Sequence, residues 1–454
     1  MRSIKNLLFT ITFSMIGFGS IAQQPFPKKM KKEMAAKVVD ACRHAWEGYK
    51  KYAWGFDDLR PLTKNGRNWY KQSMLMSPVD AFDTFIMLGM KKEAAEAKEL
   101  ILSKLSFDVD NDVQVFEIVI RLLAALQTAY EMDGDKRFLT LAEDLAKRLM
   151  PAFNTPTGIP YRYVHLQTGK TRDHLNNPAE IGTLMMEFGK LSKLTGNATY
   201  YNTAKKAIML VYEKRSAIGL VGEVIDANTG QWTRTRSHIS GYIDSYYEYL
   251  YKSWKLFGDN DFKTAWDVHE AAIKKYLIRK QPNGWFMAQV DMNTGQELST
   301  VYGALDAFYA GLTAYAGDVP TAREMQKANY YMWTRFNIEP EEFDFKKDSI
   351  LYASYVLRPE NIESCFYLYR LTGNDTYLHM GKRMVDDIIT HCKAEAGFAS
   401  LKSVVTKEKS NGMESFLFGE TFKYAYLLFA PRSAIDLDKV VLTTEAHPFK
   451  IEKK

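Results

Sequence analysis

The sequence predicts an all-α protein, an (α/α)7 barrel in which helical hairpins form a closed ring with small β-hairpin insertions. Three observations carry that expectation. Long helix-forming stretches dominate, among them "FEIVIRLLAALQTAYEM", "SYYEYLYKSWKLF" and "IESCFYLYRL", and each runs into a glycine-containing turn. The turns recur: "MDGDKRFLTLAEDL", "LTGNATYYNTAKKA", "LFGDNDFKTAWDVH", "YAGDVPTAREMQKA" and "LTGNDTYLHMGKRM" place glycines at 134, 196, 258, 317 and 373. A period of about 60 reads as a repeated helix–turn–helix unit. Thirdly, the helix before each turn is apolar nearly all round, whereas the one after it carries charge on one face. Inner, buried helices and outer, half-solvated ones follow. Gly89 and the region of Pro431 mark weaker first and last members, giving seven hairpins. An open array would expose part of the apolar inner surface, so closure is expected.

Taken in chain order, Arg2 and Lys5 precede an apolar run over 7–18, and Ser20-Ile21-Ala22 supplies small residues before a cut at Gln23. Residues 1–22 therefore read as a cleaved signal peptide, and the mature protein as secreted or periplasmic. Residues 23–454 contain no stretch of linker composition and read as a single domain. With 46% hydrophobic residues the chain can bury a large core. Its three cysteines (Cys42, Cys365, Cys392) show no paired spacing, and such a core requires no disulfide. The formal charge is +6. The basic segment "KKMKKEMAAK" has helical spacing and reads as a solvated face, so nucleic acid is not an expected partner. No obligate protein partner is implied either. "GIPYRYVHLQTGKT", "GLVGEVIDANTGQWT" and "GWFMAQVDMNTGQELS" read as β-hairpins inserted between the inner helices.

Acids occur where the core should be. Glu117 lies in "VFEIVIRLL" with Arg121 one turn on, so the two charges share a helix face. Glu187, Asp244, Asp306, Glu360 with Glu363, and Glu420 follow in phase with the repeat, at or near the start of each inner helix. Taken singly, each acid also fits a helix cap or a core ion pair. In phase around a closed ring, they would converge on one mouth, and carboxylates facing one cavity raise each other's pKa. A protonated and an ionised carboxyl are the equipment of glycoside hydrolysis. Phosphate-binding glycine loops, H-E-x-x-H and G-x-S-x-G are all absent from the sequence. "DVDNDVQVFEIV" begins like a calcium-binding loop, but Val113 and Val119 stand where that loop needs glycine and glutamate.

The ordered blocks "AWGFDDLRPLTKNG", "SPVDAFDTFIMLG", "FEIVIRLL", "LMPAFNTPTGIPY", "DSYYEYLYKSW", "LRPENIESCFYLYRLTG", "MESFLFGETFKYAYLLF" and "TTEAHP" resemble glycoside hydrolase family 47, the class I α-mannosidases. Members are toroids that remove α-1,2-linked mannose with inversion, helped by Ca2+. The resemblance implies an exo-acting mannosyl-oligosaccharide α-1,2-mannosidase whose partner is an α-1,2-mannoside glycan. It implies Glu117 as general acid, Asp244 as a second acid of the same machinery and Glu360 as the base, without deciding between Glu117 and Asp244 as proton donor. Arg121, Arg358, Glu363, Glu420 and Glu445 would line the sugar pocket, Phe416 would stack on the sugar, and Thr444 of "TTEAHP" would bind Ca2+. Tyr242 departs from the pattern, because processing α-1,2-mannosidases carry arginine there. "LDAFYAGLTAYAGD" and "FNIEPEEF" are more similar to the ER degradation-enhancing α-mannosidase-like branch. A glycan-binding protein with weak catalysis and a toroid acting on another polysaccharide are the alternative readings.

Overall fold

The computed structural model describes residues 25–451, so the expected signal peptide at 1–22 lies outside the described residues. Seven inner helices form the ring: Met76–Met87, 115–133, Met185–Thr195, Asp244–Phe257, Phe308–Tyr315, Glu360–Thr372 and 417–429. Outside them lie Lys28–Tyr52, Lys91–Lys104, Lys136–Leu149, Ala198–Glu213, Asn260–Tyr276, Val319–Phe336 and Thr376–Cys392. The architecture is the expected (α/α)7 barrel. Among the described residues, no helix is long and apolar enough to cross a membrane.

The repeat has a local cause. Gly134, Gly196, Gly258, Gly317 and Gly373 all have positive φ. Gly134, Gly196, Gly258 and Gly373 directly follow an inner helix as left-handed C-caps. A Cβ at 134, 196, 317 or 373 would meet nothing within 4 Å, so backbone conformation rather than space requires glycine there. The next residue starts the outer helix: the Asp135, Asn197 and Asp259 side chains accept from backbone N–H groups two residues on, at 3.1 Å each. Asp318 accepts from the Thr321 N–H at 3.2 Å. Each Gly-Asp or Gly-Asn pair thus ends one helix and begins the next.

The ring closes differently from the sequence expectation at Pro431. Among the described residues no outer helix follows the 417–429 helix; its outer partner is the first helix, Lys28–Tyr52. Phe418 packs on Trp46 of that helix, with ring centroids 6.2 Å apart, and on Phe85 of the first inner helix at 6.1 Å. The beginning and end of the chain therefore complete one hairpin.

The three expected hairpins form, turning at Gly169, Gly230 and Gly295, each with positive φ. They follow outer helices and sit at the end of the barrel where inner helices begin. There each pairs with a short strand near the start of an inner helix: Asp112–Gln114, Leu175–Asn176 and Arg236–Ser237. The sheets brace the entries of the helices that carry the acids. A last hairpin, Val440–Leu442 with Pro448–Lys450, runs along the axis. At the glycine-turn end, Lys450 touches the Glu131 carbonyl and Lys190, while the tip at 443–447 reaches the level of Arg121. All three cysteines are free and buried.

Candidate active site

A cavity of about 230 Å³ opens where the inner helices begin. All ten candidate site residues line it: Glu117, Arg121, Asp244, Arg358, Glu360, Glu363, Phe416, Glu420, Thr444 and Glu445. Glu248 joins them and was missed from the sequence, because it lies one turn inside its helix among tyrosines. Glu187 and Asp306 keep the phase of the repeat but do not line the cavity. The Glu187 carboxylate accepts from Tyr249 Oη at 2.5 Å, and Asp306 accepts from the Gly303 N–H at 2.6 Å. Equal spacing places a residue on the correct turn, but helix rotation decides which face it presents.

Arg121 organises one side. Its Nε donates to Glu117 Oε2 at 2.9 Å and its Nη1 to Glu445 Oε2 at 2.6 Å, with Asp80 Oδ2 at 3.9 Å from Nη1. The guanidinium lies 5.4 Å from the Trp69 ring centre and 5.6 Å from that of Phe416. Arg121 sits in a π-helical turn, Val119–Leu123, and Glu420 in a second one, Leu417–Thr421. Such wide turns mark functional stretches of helices and are invisible to a 3.6-residue periodicity. Arg358 organises the other side. It donates to Glu341 Oε2 from Nε and Nη2 at 3.0 and 2.9 Å, and approaches Glu360 Oε1 at 3.4 Å. Glu341 is a second residue that sequence reasoning missed, since it lies in a loop outside the repeat. Leu357, just before Arg358, is buried with φ +67°, and its carbonyl accepts from Thr421 Oγ1 at 2.7 Å. That hydrogen bond helps hold a backbone conformation unfavourable for a branched residue.

Crowded, dehydrated carboxyls bind protons tightly. Burial pushes Asp244 up to about 7, although the Ser245 N–H donates to its Oδ1 at 2.7 Å. Burial also pushes Glu360 up to about 8, against the pull of Arg358. Glu363 rises to about 8 through burial, opposed by Lys252, and accepts from Tyr424 Oη at 3.0 Å. Burial and the neighbouring Glu445 raise Glu420 well above the ordinary range, while Glu445 rises to about 7 through burial against Arg121. The site thus offers protonated and ionised acids facing one cavity. One oxygen of Glu360, Oε2, is buried with no partner in the protein.

Among the described residues, no three His, Cys, Asp or Glu side chains converge closely enough to hold a metal by themselves. Thr444 lines the same cavity as Glu360, Glu363, Glu420 and Glu445. The available donors are all oxygens. Their mutual repulsion and the unpartnered Glu360 oxygen fit a hard cation reached through Thr444 and water, rather than a cage of carboxylates.

The sequence matches the family model described as glycosyl hydrolase family 47 over residues 41–451. A mannosyl-oligosaccharide 1,2-alpha-mannosidase of Arabidopsis thaliana is 34% identical over 449 residues, spanning 92% of this chain and 79% of that protein. The human ER degradation-enhancing alpha-mannosidase-like protein 2 is 36% identical over 408 residues, spanning 86% and 70%. Among solved structures, the alpha-1,2-mannosidase from Trichoderma reesei superposes with a TM-score of 0.87 at 26% identity, covering 93% of this chain and 99% of that one. With an acid-lined cavity at the mouth of an (α/α)7 barrel, and a family match over nearly all of its length, this chain belongs to glycosyl hydrolase family 47 and is a glycoside hydrolase.

Proposed function

We propose that the protein is a secreted or periplasmic, exo-acting α-1,2-mannosidase that releases terminal mannose from high-mannose glycans or manno-oligosaccharides with inversion and with Ca2+ bound. The observation that carries this reading is the cavity itself: seven carboxylates and two arginines around about 230 Å³, closed along the axis by the C-terminal hairpin. Clefts for drug-sized ligands run from about 300 to 1,000 Å³. A smaller blind pit suits one terminal sugar ring, which is the exo mode.

Glu117 begins the second inner helix of the ring and Glu360 the sixth, so they stand on opposite sides of the mouth. Opposed carboxyls with room for water between base and sugar belong to an inverting mechanism. Asp244, raised to about 7, retains a proton near neutrality. That supports Asp244 as the proton-holding acid, with Glu117 fixed by Arg121 beside the leaving oxygen. Glu360 has an unpartnered oxygen that can accept from an attacking water, and it must be ionised to act as base. Phe416 offers a ring face to the apolar side of the sugar, and the two arginines orient carboxylates rather than reacting. Thr444, through its hydroxyl and carbonyl, would hold Ca2+ with water and sugar hydroxyls completing the shell. When bound, the cation supplies positive charge that lowers the proton affinity of the surrounding carboxyls and orients sugar oxygens.

Product analysis on a high-mannose glycan and on α-1,2-, α-1,3- and α-1,6-mannobioses, with and without a chelator, tests this. Release from the α-1,2 linkage alone, abolished by chelation and restored by Ca2+ but not Mg2+, is expected. Undiminished turnover after exhaustive chelation would remove Ca2+ from the reading; equal cleavage of all linkages would remove the specificity.

A further inference from the structure

"SPVDAFDTF" and the histidine of "TTEAHP" lie some 360 residues apart and neither reaches the cavity, yet they meet on the barrel axis. His447 is fully buried. Its Nδ1 lies 3.0 Å from Asp83 Oδ2 and its Nε2 3.2 Å from Asp80 Oδ1. Both aspartates project from Met76–Met87, and both are fully buried. A neutral imidazole has one N–H, so carboxylates at both nitrogens favour the doubly protonated ring. Lys423, also fully buried, donates to Asp83 Oδ2 and to the Ala446 carbonyl, each at 3.0 Å. Ala446 has φ +59°, so this contact also holds a strained turn.

The contacts return to the cavity. Asp80 Oδ2 is 3.9 Å from Arg121 Nη1, which donates to Glu445, two residues before His447. Ser415 Oγ donates to Asp80 at 2.5 Å. On the far side, the Thr444 N–H donates to Tyr249 Oη at 3.2 Å, and that hydroxyl donates to Glu187 at 2.5 Å. Five inner helices thus hold one five-residue turn. Several buried ions are an expensive way to stabilise a core that apolar residues could fill. Fixing the tail in one register is what they add.

We propose that Asp80, Asp83 and Lys423 are positioning residues that clamp His447 on the barrel axis and thereby set the Thr444 and Glu445 oxygens for the cation and the terminal sugar. This rests on the Ca2+-dependent reading above. The clamp places the oxygens without touching substrate, so its loss weakens Ca2+ and sugar binding together, and excess Ca2+ restores part of the rate.

The test uses the full chain with Asp83→Asn, His447→Gln and Gly419→Ala. The last keeps every charge but directs a Cβ to 2.5 Å from Asp80 Oδ1. Ca2+ affinity is measured by titration calorimetry on chelator-stripped protein, alongside KM, kcat and the unfolding midpoint in chelator. For each folded variant the expected result is at least a tenfold loss of Ca2+ affinity, a raised KM and partial recovery of rate in excess Ca2+. Variants with a lowered midpoint but unchanged Ca2+ affinity and KM would overturn the proposal, since the clamp would then serve the fold alone. Failure of all three to fold would overturn it in the same way. A wild-type protein that binds no Ca2+ would instead refute the underlying reading, before any variant is compared.

Discussion

Replacing Arg121 by lysine keeps the charge and removes the geometry. The guanidinium reaches Glu117 and Glu445 from two different nitrogens, at 2.9 and 2.6 Å, and lies between the Trp69 and Phe416 rings. A single ammonium cannot reproduce that fork. Losing one hydrogen bond between charged groups costs about 1.5–3 kcal/mol. Loss of the ring contacts adds about 0.5–1 kcal/mol. The deficit of about 2–4 kcal/mol corresponds to a fall of about 30- to 1,000-fold in kcat/KM. The loss should fall on both constants, because the proposed function puts Glu445 in the sugar pocket and Glu117 beside the leaving oxygen. Steady-state kinetics on α-1,2-mannobiose, with circular dichroism to confirm folding, measures it. A folded Arg121→Lys enzyme within threefold of wild type would show that the arginine fork does not organise the site.

Two further outcomes concern single buried carboxyls, one in the cavity and one outside it. Glu360→Gln keeps the shape but cannot accept a proton, so kcat should fall by at least about a hundredfold with KM nearly unchanged; near-native kcat would move the base elsewhere. Asp306 is held up to about 7 by burial in the folded protein, against about 3.9 in an unfolded chain. Between those values the folded chain keeps a proton that the unfolded chain has lost. Its contribution to stability is therefore full below about pH 4 and is lost as pH rises through about 7. Asp306→Asn should flatten that decline and raise the unfolding midpoint at pH 8 relative to wild type; an unchanged pH profile in thermal melts would contradict the assignment.

Much of the barrel was legible because its punctuation is local. A left-handed glycine followed by a capping Asp or Asn recurs at 134, 196, 258, 317 and 373, and needs no tertiary context. Closure of the last hairpin by the first helix was not legible, since the Phe418–Trp46 contact joins opposite ends of the chain. Burial of acids in apolar helices pointed to Glu117, Asp244 and Glu360 as members of one cavity, but the same phase also selected Glu187 and Asp306, which face into packing. The residues missed have physical reasons too. Glu248 pairs with Lys252 within its helix and reads as an ordinary i,i+4 ion pair, and Glu341 reaches Arg358 from a loop. Motif resemblance supplied Thr444, whose place on the cavity wall depends on a tail turn that no periodicity describes.

The most direct test of a family 47 hydrolase with Glu117 and Glu360 opposed across the mouth is the anomer released first. Proton NMR of the earliest turnovers on α-1,2-mannobiose, recorded before mutarotation, should show β-mannose from the non-reducing sugar, formed by direct attack of water activated by Glu360. α-Mannose appearing first would mean a double displacement through a covalent intermediate, and would contradict the roles proposed for both glutamates.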